Sequence, residues 1–535
     1  MIQKKKKHKK KFLINGFSII ELMISIAIIG LVISASLIAF QSMQKNMATT
    51  SNYTKVGQDA DFVLRKMERE LKQAGYYYPS SDSDFGPILV QSDLISIDPI
   101  VPQLEVDKST NTLTVEDARH FADSGTLVII DTGTLDSENS KEVFDAKNLT
   151  VLPGCIDTQV HFREPGSTDA EDLNSGSRAA IVGGITSVFE MPNTNPPTSS
   201  KQEFFNKLKL AKNRMFCNYA FYFGATSNNH EELSDLQDLE GCCGIKLFAG
   251  SSTGSLLVQH EEDIENVFQN SSKIVSVHSE DEEILNKRKK LIKEGNVQTH
   301  PVWRNEECAI SSTRKIVKIA ERLKKKAHIL HVTTREEVDF LSQHKGNVSF
   351  EITPQHLTLS APECYEKLGT YAQMNPPIRD KTHQDRLWYG VKNNFPDIIG
   401  SDHAPHLKEN KNKTYPNSPS GMPGVQTLVP VMLNHVNDGK LTLEQFVKFV
   451  CENPVKIFGI KNKGYIKKGF DADLTIVDMS KKILIKNENI ESKCKWSPFN
   501  GMEFKGKPVL TVINGQVKMK DGKILGDPNG QPLVF

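Results

Sequence analysis

Five side chains carry the strongest chemical signal in this chain of 535 residues: His161, Lys246, His278, His331 and Asp402. Each sits in or at the end of a short apolar run, and the runs lie far apart in sequence. A lone histidine is usually a satisfied or surface group. His230, His260, His300, His344, His383 and His435 are read that way because they fall in helical or loop segments. His328 joins them because, on a strand, it faces away from His331. Three imidazoles and a carboxylate on four separate runs suit one or two Zn2+ ions held with an open coordination position. Water held by such a metal ionises near neutral pH, and Asp402 can take its proton and pass it on. Lys246 lies inside an apolar stretch, where an ammonium must be paired or neutralised. Carboxylation by carbon dioxide turns it into an anion able to bridge two metals; a salt bridge to a nearby carboxylate is the alternative. The expected chemistry is hydrolysis of an amide-like bond.

Those residues need elements to position them. Eight apolar runs can be counted, over 150–161, 185–193, 217–225, 244–249, 274–278, 328–332, 348–353 and 398–403. Helical patterns fall between them, for example over 171–183, 200–214, 306–325 and 379–394. This rhythm predicts an α/β fold, a closed (β/α)8 barrel over 141–460 with its chemistry at the C-terminal strand ends. Strand alternation puts Gln159, His161 and Arg163 on one face. Two further strand-like stretches, Ala472-Asp-Leu-Thr-Ile-Val-Asp478 and Pro508-Val-Leu-Thr-Val-Ile-Asn-Gly515, predict part of a small β-sandwich over 461–535.

The motifs Pro153-Gly-Cys-Ile-Asp-Thr-Gln-Val-His-Phe-Arg-Glu-Pro-Gly166, Met191-Pro-Asn-Thr194, Gly400-Ser-Asp-His-Ala-Pro-His406 and Gly421-Met-Pro-Gly424 together resemble the dihydroorotases of the amidohydrolase superfamily. The likeness runs from about residue 142 to 535. It implies interconversion of N-carbamoyl-L-aspartate and L-dihydroorotate, a step of pyrimidine synthesis. Carried over position by position, it implies metal ligation by His161, His278, His331 and Asp402, and a carboxylated Lys246. It also implies a grip on the substrate carboxylate by Arg163 and Asn193, a task suited to a guanidinium fork. His406 matches a further carboxylate contact, and Asn375 a position beside the ring. Three features depart from the family. Gln159 stands where His-x-His is usual, and glutamine is a weak, neutral ligand. Lys246 occurs together with an Arg-Glu-Pro-Gly motif whose bearers often bridge with aspartate. The N-terminal half of the sandwich is not recognisable.

The N-terminus carries a different message. Residues 4–11 read KKKKHKKK, and 22–40 is uncharged and long enough to span a membrane, with the lysines on the cytoplasmic side. Glu21 lies inside the apolar stretch, where a carboxylate is usually functional. Gly16-Phe17-Ser-Ile-Ile-Glu21 resembles the type IV pilin signal, which implies a basic leader over 1–16, cleavage between Gly16 and Phe17, and methylation of the new terminus. A pilin-like helix is expected over 17–78 and a small β-rich head over 79–140, ended by the polar break at 136–140.

The net charge of +1 gives no reason to expect a nucleic-acid partner. The eight cysteines are scattered and read as reduced thiols. Expected partners are a small-molecule substrate and the membrane, with homo-oligomerisation left open. Rival readings are an allantoinase or dihydropyrimidinase, an inactive dihydroorotase-like protein supporting another enzyme, and a minor pilin with an inert tail. The barrel is expected in the cytoplasm, yet the lysine block exports the chain beyond residue 40. That conflict suggests a fusion of two neighbouring reading frames.

Overall fold

The structure is a computed structural model that describes residues 106–107, 112–113, 128–131, 142–251, 256–467 and 469–535. All lie in a unit running from Pro102 to Phe535. The leader, Gly16, Phe17, Glu21 and the apolar segment 22–40 lie outside the described residues, as does most of the expected head. Among the described residues no helix is long and apolar enough to cross a membrane.

Four short strands come first: β1 (Val106–Asp107), β2 (Thr112–Leu113), β3 (Val128–Asp131) and β4 (Glu142–Asp145). β1 and β2 pair antiparallel, whereas β3 and β4 pair parallel across the expected boundary at 136–140. Next come β5 (Thr150–Pro153) and β6 (Cys155–Val160). The barrel continues through β7 (Ile185–Glu190), β8 (Asn218–Gly224), β9 (Cys242–Phe248), β10 (Val275–His278), β11 (Ala327–Ile329), β12 (Val348–Ile352) and β13 (Ile398–Ile399). These eight strands, β6 to β13, form one parallel sheet in sequence order. It closes where Val160 bridges His403, with the His161 N–H donating to the His403 carbonyl at 2.7 Å. Every position of β6 to β9 is buried. Both faces are covered, so these strands read as continuous apolar runs rather than alternating ones.

The helices begin on side-chain caps: Asp172 for Leu173–Val182, Ser200 for Lys201–Ala211, and a Thr334–Glu337 capping box for Arg335–Leu341. The helix expected over 306–325 spans Glu306–Leu323, and that over 379–394 spans Lys381–Lys392.

One expectation needs correcting. The run 150–161 is two strands, not one. β5 leaves the barrel and joins a five-stranded sheet with β14 (Leu474–Leu484), β15 (Glu503–Ile513), β16 (Gln516–Lys520) and β17 (Lys523–Ile524), in the order β17-β16-β15-β14-β5. The switch falls at Gly154, where a Cβ would stand 2.3 Å from the Thr186 hydroxyl and 2.9 Å from the Asp473 Cβ. Only glycine lets the chain cross between the two sheets that closely. Phe144, Leu149 and Val151 pack on the apolar cluster of Ile476, Val509, Leu510 and Val512, so residues before the barrel share the C-terminal sheet's core.

Candidate active site

The C-terminal ends of the barrel strands line a pocket. Its walls include Gln159, His161, Arg163, Lys246, His278, His331, Asn375 and Asp402, together with Ser420 and Gly421. Residues from β6, β9 and β10 and from the segments after β11 and β13 thus meet in one place. His331 follows β11 by two residues rather than ending it. Arg163, His331 and Asp402 hold φ of 63°, 38° and 45°. Left-handed backbone at three non-glycine positions is disfavoured by roughly 1–3 kcal/mol each and clusters where side-chain aim matters.

The polar partners fall into two groups. In the first, His161 Nδ1 lies 2.7 Å from Asn193 Oδ1, and His161 Nε2 lies 3.3 Å from Asp402 Oδ1. An amide oxygen only accepts, so Nδ1 carries the proton and Nε2 presents its lone pair to a carboxylate oxygen. Two acceptors facing each other require a proton or a cation between them. The Gln159 amide donates to Asp402 Oδ1 at 2.9 Å, while its own carbonyl oxygen is buried without a protein partner.

In the second group, His278 Nε2 lies 2.8 Å from Glu280 Oε2, and His278 Nδ1 lies 3.1 Å from His331 Nε2. Glu280 also pairs with Arg304, whose Nε donates to Oε1 at 3.1 Å. Burial pushes the Glu280 carboxyl up, but Arg304 and His278 outweigh it and hold it well below the usual range. An ionised Glu280 fixes the proton on Nε2, which leaves the Nδ1 lone pair aimed at His331. Sequence reasoning did not assign Glu280 or Arg304 a role. Arg304 arrives from a loop that only the folded chain brings to β10.

Lys246 connects the groups. Its Nζ is buried, has no hydrogen-bond partner and sits 4.4 Å from the centre of the Phe248 ring. Burial lowers its pKa to about 7, against the pull of Asp402 and Glu351. Its charge acts on His161, His278, His331 and Asp402 alike. Asp402 is pushed up to about 7 by burial and then by Glu351.

Arg163 is buried and forms no ion pair among the described residues. Its Nε donates to the Pro405 carbonyl at 3.2 Å, and its Nη2 stands 3.3 Å from His406 Nε2. That same nitrogen lies 3.0 Å from the Ser420 carbonyl. Because Arg163 only donates and a carbonyl only accepts, His406 Nε2 serves one of them at a time. Asn375 Oδ1 is 3.0 Å from the Nε2 of His300, a histidine read from sequence as background. It is buried, but its Nδ1 has no partner among the described residues, and its Nε2 faces a wall of the pocket.

The amidohydrolase family model matches residues 150–518. The chain belongs to the amidohydrolase family. This amidohydrolase is 35% identical over 398 residues to a dihydroorotase of Pyrococcus horikoshii, a match covering 74% of this chain and 87% of that protein. It is 32% identical over 425 residues to a dihydroorotase of Methanosphaera stadtmanae, covering 78% and 96%. Among solved structures it resembles the L-hydantoinase (dihydropyrimidinase) of Arthrobacter aurescens, with a TM-score of 0.72, 29% identity, and 76% and 94% of the two chains covered. A dihydropyrimidinase of Brevibacillus agri follows at a TM-score of 0.69 and 25% identity, covering 75% and 92%.

Does the amidohydrolase pocket fit a metal? No three His, Cys, Asp or Glu side chains among the described residues form a ready-made cage; the donors stand as two pairs. Two ligands on one zinc, each about 2.0–2.1 Å away in tetrahedral geometry, stand roughly 3.3 Å apart. The His278–His331 and His161–Asp402 nitrogen and oxygen atoms are 3.1 and 3.3 Å apart. Both spacings match that separation, and the facing acceptors of His161 and Asp402 fit a bound cation.

Proposed function

We propose that this amidohydrolase is a zinc-dependent dihydroorotase that opens and closes the ring of L-dihydroorotate. The observation that carries the reading is Arg163: a buried guanidinium in no ion pair with a carboxylate among the described residues, beside His406 and within the pocket that holds Asp402. A buried charge is stable only when paired, and the carboxylate of dihydroorotate supplies the pair. Dihydrouracil and hydantoin have no such group. The dihydroorotase relatives support the same choice.

His161 and Asp402 on one side, and His278 and His331 on the other, are the residues that would hold zinc, with Lys246 between them as the carbamate. Bound zinc supplies Lewis acidity, polarising a carbonyl and making a held water acidic near neutral pH. Uncharged Lys246, favoured by its pKa of about 7, attacks the carbon of CO2 through Nζ and loses one proton to give the carbamate anion. In ring opening the water oxygen bonds to the ring amide carbon and the carbon–nitrogen bond breaks. Asp402 accepts the water's proton and returns it to the departing nitrogen, a transfer suited to a group titrating near 7. Ring closure retraces these steps. Arg163 and Asn193 orient the substrate carboxylate, and Asn375 flanks the ring.

The purified protein should turn over dihydroorotate and ignore dihydrouracil, hydantoin and allantoin. Chelation should abolish turnover and zinc restore it. Arg163→Met should lower kcat/KM by about a hundredfold or more, the scale of a lost charge-assisted pair. Turnover of dihydrouracil with none of dihydroorotate would overturn the reading in favour of a dihydropyrimidinase-type enzyme, which the fold neighbours favour.

For the N-terminal residues the proposal is a type IV pilin-like signal, with cleavage between Gly16 and Phe17, Glu21 engaging a neighbouring subunit and 22–40 in the membrane. The sequence motif alone supports it.

A further inference from the structure

Lys411 is fully buried and is not among the residues that the family motif or strand positions single out. It ends the four-residue helix Lys408–Lys411. Its ammonium donates to three main-chain carbonyls: Gln373 at 3.0 Å, Pro419 at 2.8 Å and Gly421 at 3.1 Å. An ammonium has three N–H donors, so the group is saturated. No carboxylate among the described residues acts on it, and burial alone lowers its pKa to about 7, so a nearby anion decides how fully it is charged. The nearest aromatic face is Trp496, 5.7 Å away, whose indole N–H holds the His406 carbonyl at 2.7 Å.

The three carbonyls belong to the two segments that contribute Asn375, Ser420 and Gly421 to the pocket wall. Gln373 is two residues before Asn375, and its own amide donates to the Ser418 carbonyl and to Ser420. Gly421 holds a φ of 143° and lines the pocket beside Ser420. A Cβ there would stand 2.6 Å from the Ala404 carbonyl, so this loop is pressed against the strand end that carries His406. Lys411 is thus the common anchor of the Asn375 segment and the 418–421 loop.

Neutral donors could do the same tying. A lysine brings in addition a charge whose burial is costly and which this fold leaves unpaired. That charge already acts on His406, whose ring burial and then Arg163 and Lys411 hold well below its usual pKa. We propose that Lys411 is a specificity-determining residue. It holds the substrate loop in shape and supplies, from behind it, a positive charge that a carboxylate-bearing substrate compensates and a neutral ring does not. This deepens, and rests on, the dihydroorotase reading. The charge does not touch the reacting atoms, so it lowers KM rather than raising kcat.

The test uses the full-length zinc-loaded protein as wild type, Lys411→Met and Lys411→Arg, assayed with L-dihydroorotate and titrated with neutral dihydrouracil. If wild type does not bind dihydroorotate, the functional reading falls. If it does, Lys411→Met should raise KM for dihydroorotate about tenfold, the effect of a charge acting through a partly screened interior. Its kcat should stay within about twofold. Loss of the loop anchor should weaken dihydrouracil as well, but clearly less than dihydroorotate, and Lys411→Arg should restore most of the loss. An unchanged KM, or equal loss for both ligands, overturns the proposal. A measurement on wild type covers the case in which the methionine variant does not fold. With lysine labelled at Cε, the NMR titration of Lys411 should move to higher pH with dihydroorotate and not with dihydrouracil. Identical titrations would overturn the proposal as well.

Discussion

At the scale of single residues, the pocket is a set of buried groups whose protonation follows from their partners. Asp157 shows the principle away from the reacting atoms. Its Oδ1 accepts from the Ser401 and Gln159 amides at 2.9 and 3.2 Å, and its Oδ2 is buried without a partner. Burial raises its pKa to about 7 from 3.8. The folded state therefore holds this proton more tightly than the unfolded state. Between about pH 4 and 7 the native chain binds more protons, so the contribution of Asp157 to stability falls as pH rises and is flat above 7. The total change is roughly 4 kcal/mol at most. Asparagine mimics the protonated form, so Asp157→Asn should flatten the stability profile in that window and raise the melting temperature at pH 8. A profile identical to wild type would show that the carboxyl stays ionised. The strand-end residues His161, Arg163, Lys246 and His278 were legible in the sequence because their polarity breaks an apolar run at a fixed phase. His300, Arg304 and Lys411 were not. Each sits in a polar helix or loop that looks like ordinary surface, and its meaning comes only from what the fold lays against it.

At the scale of elements, the strands hold the site and the helices hold the strands. Phe162 lies between His161 and Arg163 and points outward against the helix Leu173–Val182. Gly176 makes that approach feasible: a Cβ there would stand 2.4 Å from the Phe162 ring. Gly176→Ala should push the ring back along β6 and destabilise the protein by about 1–3 kcal/mol, as overpacked cores do. It should also lower turnover, because the displaced residue separates two that line the pocket. Normal melting and normal kcat together would mean that the helix yields instead. Seven of the eight apolar runs became single barrel strands, because doubly covered strands announce themselves. The eighth misled because β5 and β6 follow one another as one apolar sequence. The break is a steric fact about Gly154, Thr186 and Asp473, which no local pattern encodes.

At the scale of the molecule, two messages share one chain. The barrel and its sheet account for residues from 142 onward, with β3 paired to β4. The signal proposed at Gly16–Glu21 would direct export. Intact mass spectrometry of the native protein decides between one chain and two. A single chain processed as a pilin should start at Phe17 and extend through the barrel. A barrel product starting between residues 100 and 145 would establish that the two parts are made separately, and an intact Met1 on a full-length chain would exclude cleavage.

The pairing of β5 with β14 bears on how the protein is made. The Cys155 amide, two residues past β5, donates to the Thr475 hydroxyl across 320 positions of sequence. At ribosomal speeds of about 5–20 residues per second, β5 waits roughly a quarter of a minute to a full minute for its neighbour to be synthesised. Until then the nascent chain displays an unpaired strand edge and the apolar side chains of Phe144, Leu149 and Val151, the kind of surface that holding chaperones recognise. The first strand of the active-site barrel is tethered to that waiting segment through Gly154, so completion of the catalytic pocket is timed by the chain from Leu474 onward.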